Sequence, residues 1–239
     1  KSPISMEENE LLRILEDTLI YVPSSTNTEE HADISLYDHM KMTGATAAVL
    51  MKYMKTLGIT DYKGFCFTHN KENRNKDVFL MISGDFSGIQ KFIYHIRSEG
   101  AMRMLRGRSF YLDIALENIV DELLNALHLS RANLIYCSGG HFYILADNTK
   151  ETQDAVKDVA KKINQGLVKL FSGTLYLAIG CEPLCANDLM AESDTVHHKK
   201  NIFRSVSEKV SISKSSRYGP DILMELFNEN SNVNRADQG

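Results

Sequence analysis

Two short stretches hold the residue types that could do chemistry. The first is Gly84-Asp85-Phe86-Ser87-Gly88-Ile89-Gln90, a lone carboxylate followed by a small-residue turn. The first N–H groups of a helix have no partner inside it, so Ser87-Gly88-Ile89-Gln90 at a helix start is a candidate phosphate seat. The second is Ser138-Gly139-Gly140-His141, between two apolar runs. Paired glycines supply the positive φ angles of a tight hairpin, and without a Cβ they let a nucleotide approach the backbone. A carboxylate beside such a hairpin is how Mg²⁺ is held when it clamps attacking and leaving oxygens. Here, however, His141 and Phe142 follow the glycines. An imidazole and a phenyl ring cannot replace carboxylates around a hard, oxygen-seeking cation. The pattern therefore allows nucleotide binding but not two-metal catalysis on this hairpin. The competing reading is structural, with Gly139-Gly140 as an ordinary turn and Asp85 as a helix cap.

Other charged clusters are less complete. Residues 91–108 hold Lys91, Arg97, Arg103, Arg106 and Arg108 against Glu99 alone, a net of +4 on an acidic chain. Such a stretch suits phosphate contact with RNA or a nucleotide tail. The alternative is a solvated face paired with acids such as Glu117 and Asp121. Gly107 interrupts the run, so a loop wrapping a ligand is expected there. Asp38-His39, with His31 and Asp33 upstream, resembles a fragment of a metal site. Neighbouring residues on a helix point to different faces, though, and no second pair completes the set, so a structural role is expected. Cys137 has only His141 as a nearby base, across the turn, and makes a poor nucleophile. No nucleophile elbow, Walker loop or dinucleotide fingerprint occurs.

The elements that must position these residues follow from periodicity. Leu11, Leu12, Leu15, Leu19 and Ile20 form a helical stripe that should end at Val22, before Pro23. Residues 23–30 read as a loop and 35–57 as a second helix. Residues 64–76 read as a polar linker and a domain boundary. Next come a buried strand over 78–82 with a turn at Ser83-Gly84-Asp85, a helix opened by Ser87-Gly88, and a long helix over 109–129. Strands over 133–137 and 142–146 flank the hairpin. Thr149 caps a helix that runs to Phe171, Gly173 ends it, and a fourth strand spans 174–179. Strand, helix, two strands, helix and strand make an α+β, ferredoxin-like plan, with helices expected on one face of the sheet. That plan puts Asp85 beside the hairpin, as in the palm domains of polymerases and cyclases. Residues 196–228 read as a helical extension, and 229–239 as a frayed tail.

Composition bounds the rest. The 239 residues suffice for one large or two modest domains, and 27 Lys+Arg against 31 Asp+Glu give a net charge of −4. This excludes a generally basic nucleic-acid coat protein. Four scattered cysteines (Cys66, Cys137, Cys181 and Cys185) complete no zinc site and suit a reduced, cytoplasmic location. No run approaches the ~18 apolar residues of a membrane span.

Several stretches together carry a resemblance: GDFSGIQKFIY (84–94), LRGRSFYLDI (105–114), RANLIYCSGGHFYILADN (131–148) and VPSSTNTEEHADISLYDH (22–39). With CEPLCANDLM (181–190) and RSVSEKVSISKSSRYG (204–219), they resemble, in order, the large subunit of type III-A CRISPR effector complexes, the Csm-type signature subunit. That family combines an HD nuclease domain that cuts single-stranded DNA with two palm domains that convert ATP into cyclic oligoadenylates once target RNA is bound. The resemblance implies that residues 1–63 are the end of the HD domain, 64–76 a linker and 77–195 the first palm. The nuclease's His-Asp motif and the second, Gly-Gly-Asp-Asp palm would lie outside this sequence. It further implies that Ser87, Gly88, Ile89 and Gln90 match the palm's phosphate-side turn, and Ser138, Gly139 and Gly140 its nucleotide-side hairpin. Asp85 would match a palm's first metal carboxylate, deprived of acidic partners. Asp38 and His39 match an HD-domain motif.

The expected function is to bind one ATP and position it opposite a catalytic palm, with Mg²⁺ held chiefly by that second palm. The whole subunit would be a nucleotidyltransferase and nuclease, this segment alone inactive. Guide RNA, target RNA and other effector subunits are the expected partners, and no membrane is involved. The rival reading is a scaffold that docks guide RNA and neighbouring subunits through Lys91, Arg103, Arg106 and Arg108.

Overall fold

A computed structural model describes residues 6–27, 33–94, 100–190, 201–217, 219 and 224. Helix α1 (Met6–Leu19) leads through a short loop to α2 (Leu36–Thr56), whose N-cap is Ser35. The first helix thus ends three residues before the Val22 expected from Pro23. Pro23 instead pairs with Ser35 in an isolated bridge that closes the loop. Residues 64–76 are not an irregular linker. They form a turn of π-helix (Gly64–Thr68) and the short α3 (Asn70–Asn73), with the Phe65 ring 6.5 Å from that of Tyr53 on α2.

Strand β1 (Phe79–Ser87) runs straight through Ser83-Gly84-Asp85, where a turn was expected. Pairing overrides local composition here, because β1 is the central strand with neighbours on both sides. After it come α4 (Ile89–Tyr94), α5 (Ala101–Ala126), a 3-10 turn (Arg131–Asn133), β2 (Leu134–Ser138) and β3 (His141–Asp147). Then α6 (Lys150–Phe171), β4 (Tyr176–Leu184), α7 (Ala186–Leu189) and α8 (Ile202–Ser215) complete the described elements. The sheet order is β2-β3-β1-β4, antiparallel throughout, which is the ferredoxin-like arrangement. Helix α5 starts eight residues earlier than the sequence indicates and includes Gly107. A mid-helix glycine costs only about 1 kcal/mol. Leu112, Leu116, Ile119, Val120, Leu123 and Leu124 on the same helix are all buried.

Side-chain alternation sorts the sheet into two faces. Leu80, Ile82, Phe86, Phe142, Ile144 and Leu177 belong to the core shared with α5 and α6. The opposite face carries Ser83, Asp85 and Ser87 of β1, His141, Tyr143, Leu145 and Asp147 of β3, and Tyr176, Ala178 and Gly180 of β4. It was expected to be bare, yet two helices lie on it. On one end α2 packs, with Lys52 against Asp147 and Val49 buried in the core. On the other, α8 packs Val210 against Tyr176 and Ala178, and stacks Phe203 edge-on to Tyr143 at 5.1 Å. The reason α8 comes so close is Gly180: a Cβ there would lie 2.6 Å from Val210 N.

Two polar devices fasten the layers. The edge strand β4 leaves Leu177 with outward N–H and C=O groups. The Asn164 amide on α6 satisfies both, accepting from Leu177 N at 2.8 Å and donating to Leu177 O at 2.9 Å. Asp147, fully buried, accepts from Thr149 Oγ1 (2.6 Å) and Thr152 Oγ1 (2.8 Å) and forms an ion pair with Lys52 Nζ at 2.8 Å. The Lys52 ammonium also donates to Leu127 O at 2.8 Å, tying α2 to the end of α5. Burial alone would push the Asp147 carboxyl up, but Lys52 and the two threonine hydroxyls outweigh it and hold the group below the ordinary carboxylate value.

Three outcomes follow. A depressed folded-state pKa stabilises the fold above the unfolded carboxylate pKa of about 3.9, and that contribution is lost as pH falls through the folded value. Asp147→Ala should lower unfolding stability at pH 7 by about 3 kcal/mol in urea denaturation, and the wild-type advantage should shrink below pH 4. Gly180→Ala should destabilise by about 1–3 kcal/mol because α8 must shift off the sheet. Gly44→Ala, in open space on α2, should instead stabilise by up to about 1 kcal/mol in the same assay.

Candidate nucleotide site

The end of β1 and the β2–β3 hairpin are neighbours because Asp85 pairs with His141 in the ladder. Beyond that pair, Phe86 N donates to Gly140 O at 2.9 Å, which holds the turn against the start of α4. Gly139 and Gly140 have φ of +63° and +86°, as a two-residue hairpin requires. Their surroundings differ. Gly139 is exposed with open space where a Cβ would stand, whereas Gly140 is buried with Ile89 Cδ1 2.4 Å from that position. The two stretches singled out in the sequence, Ser87 to Gln90 and Ser138 to Gly140, therefore meet. Gly88, at φ +94°, turns the chain from β1 into α4, where the first helical bond runs from Phe92 N to Gly88 O at 3.0 Å. The N–H groups of Ile89, Gln90 and Lys91 precede that ladder, where a helix supplies them no internal partner.

Sequence reasoning missed two cations on α8 and its C-terminal side. Lys214 Nζ donates to Asp85 Oδ2 at 2.5 Å, and Arg217 Nη2 donates to Ser87 Oγ at 2.6 Å. The only signal was that RSVSEKVSISKSSRYG belonged with the other quoted stretches. Nothing local says that it folds over the sheet.

His141 Nδ1 lies 4.0 Å from Asp85 Oδ2, and its Nε2 is 3.4 Å from Ser83 Oγ. Burial pushes the imidazole's pKa down and Lys214 adds to that, outweighing the pull of Asp85, so at neutral pH the ring is uncharged. Its edge rests on Tyr143, with ring centroids 4.5 Å apart. A divalent cation does not fit this arrangement, since it would meet one carboxylate already paired with an ammonium, and an imidazole. Among the described residues no group of three His, Cys, Asp or Glu side chains could hold a metal. Cys137, pushed up to about 12 by burial and then by Glu117, stays a thiol.

The basic stretch divides. Lys91 on α4 and Arg103 and Arg106 on α5 are exposed, the last two a turn apart on one helix face. Arg108 turns inward, donating from Nη1 to Phe92 O and lying 5.3 Å over the Phe92 ring. The expected wrapping loop at Gly107 is helix, and Arg97 lies outside the described residues. Glu117 and Asp121, the acids that the alternative reading paired with this run, instead clamp Arg131 at 2.8 and 2.7 Å. Asp38 accepts from Ser35 Oγ at 2.7 Å while its own N–H donates back to that hydroxyl at 2.9 Å, a helix-capping exchange at the start of α2. His39 is exposed beside it, and His31 lies outside the described residues.

Comparison with known proteins gives one consistent result. Residues 78–229 match the family model of the Csm1 subunit domain B. The chain is 41% identical over 236 residues to a Mycobacterium tuberculosis protein named CRISPR system single-strand-specific deoxyribonuclease Cas10/Csm1 (subtype III-A), covering 95% of this chain and 29% of that protein. It is also 41% identical over 216 residues to the protein of the same name from Streptococcus thermophilus, covering 90% of this chain and 28% of that one. The chain thus spans about three tenths of the length of these relatives. Among solved structures, a Csm1–Csm4 cassette in complex with one ATP superimposes with a TM-score of 0.72 at 34% identity, covering 87% of this chain and 27% of that one. The cassette in complex with cA4 gives a TM-score of 0.72 at 34% identity over 88% of this chain and 27% of that one. Csm1 in T. onnurineus gives 0.71 at 34% identity, over 88% of this chain and 28% of that one. By its sheet, its hairpin and these matches, the chain belongs to the Csm1 family, as a segment of the large subunit centred on domain B.

Proposed function

We propose that this segment is the ATP-positioning, non-catalytic half of an oligoadenylate-forming site in an RNA-guided antiviral complex. The observation that carries the reading is the junction of the Gly139-Gly140 hairpin with the Ser87–Gln90 turn, beside a carboxylate that Lys214 neutralises. The open backbone at Gly139 suits a nucleotide, and the absence of a described acidic cluster leaves metal chemistry to another palm. ATP, and Mg²⁺ held mainly elsewhere, are then the small-molecule partners. Relatives crystallised as Csm1–Csm4 cassettes with one ATP, with pppApA and with cA4 support that substrate class. Holding one ATP in register with a second reactant contributes to rate by orientation, without any bond made by this half. The full subunit would combine this synthesis with single-stranded DNA cleavage.

A second reading rests on Lys91, Arg103 and Arg106. Exposed and free of the Glu117–Asp121 clamp, they suit the phosphates of guide or target RNA, so the same segment would also dock RNA and neighbouring subunits. Arg108, engaged by Phe92, contributes only to packing in this reading.

The two readings separate experimentally in the full-length subunit. Asparagine tolerates positive φ, so Gly139→Asn keeps the turn while placing a side chain in the nucleotide's path. It should weaken ATP affinity by about tenfold or more in calorimetry with Mg²⁺, with little change in melting temperature. Unchanged ATP affinity and stoichiometry would remove the hairpin from the site. For the second reading, Arg103→Glu with Arg106→Glu should weaken RNA binding across sequences and lower the salt-dependence slope by about one per cation removed, leaving ATP affinity intact.

A further inference from the structure

Beyond the neutralisation of Asp85 by Lys214, the two cations at the C-terminal end of α8 have no role in the readings above, although they reach the two β1 residues that border the candidate site. Asp85 and Ser87 alternate on one face of β1, about 7 Å apart. Lys214 sits on the first and Arg217 on the second. Asp85 and Lys214 form a neutral pair. Ser87 is neutral, so Arg217 with its hydroxyl keeps a full positive charge at the mouth of the Ser87–Gln90 turn. Lys214 is about one-third exposed and Asp85 slightly less, so the pair is at the surface of the site and not sealed beneath it. Arg217 is exposed.

We infer that Lys214 and Arg217 are the residues that receive the polyphosphate end of the nucleotide, and that Asp85 and Ser87 serve to hold them in place. This rests on the nucleotide reading of the hairpin and deepens it. A planar guanidinium presents paired N–H donors that match two phosphate oxygens, and an ammonium adds a mobile point charge beside it. Their spacing along β1 suits an extended anion of more than one phosphate. It also gives Asp85 a function that needs no metal: the carboxylate fixes an ammonium where a metallated palm would hold a divalent ion. Both devices put a cation at one place, but a lysine does so beside a single carboxylate. Lys214 and Arg217 are thus positioning residues for the substrate, contributed by an element beyond the βαββαβ unit.

The test uses the full-length subunit and compares ATP, ADP and adenosine by calorimetry for wild type, Lys214→Gln, Arg217→Gln and Lys214→Arg. Loss of a charged hydrogen bond to phosphate should weaken ATP by about tenfold or more in each glutamine variant. Adenosine affinity should stay unchanged, and Lys214→Arg should recover most of the ATP affinity. Equal weakening of ATP and adenosine would mean that α8 merely braces the sheet, and would overturn the inference. So would ATP affinities that match wild type in both glutamine variants. If Gly139→Asn leaves ATP binding untouched, the hairpin reading fails separately, whatever the α8 variants do.

Discussion

The register of β1 between β3 and β4 is the constraint on which the rest depends. Asp85 lies opposite His141 on one side and Ala178 on the other. Because side chains alternate, that single alignment sends Ser83, Asp85 and Ser87 to the face covered by α8, and Leu80, Ile82 and Phe86 to the α5–α6 core. A slip of one residue would drive Asp85 among the buried leucines of α5. It would also pull the end of β1 away from the hairpin, and with it the bond from Phe86 N to Gly140 O. The apolar face therefore enforces the placement of the polar one.

The polar face is then neutralised from within. Two of the carboxylates on it, Asp85 on β1 and Asp147 on β3, each meet a lysine from a helix laid across that face. Lys52 of α2 serves the fully buried Asp147, where an unpaired charge would be costly, and two threonine hydroxyls complete its coordination. Lys214 of α8 serves Asp85 at the partly open end. The first pair is structural, joining α2 to the sheet and to the end of α5. The second stands partly exposed to solvent. The same electrostatic device thus closes one end of the face and leaves the other partly open to solvent.

Neutral His141 fits between these roles. Its ring spaces Asp85 from Ser83 and continues through Tyr143 to Phe203, an edge-on aromatic series that helps to seat α8. A second carboxylate at that position would compete for Lys214 and crowd Asp85. The imidazole at this position is thereby part of the packing of this face.

Much of this was legible before folding. The order of elements, the Gly139-Gly140 hairpin, the Thr149 cap and the buried stripe of α5 all depend on contacts within a few residues or on a single repeat, so local patterning carries them. The chain's type-III-A resemblance was likewise readable from its ordered stretches. What only the tertiary structure decided were features set by partners distant in sequence. Ser83-Gly84-Asp85 became strand because β3 and β4 bond it from both sides. Arg108 turned inward to Phe92 while Arg103 and Arg106 stayed out. Residues 64–76 folded against α2, and α8 crossed the supposedly open face to bring Lys214 within 2.5 Å of Asp85, 129 residues away. Sequence periodicity reports which face of an element is apolar. Which other element covers that face, and which charges it delivers there, is settled only when the layers pack.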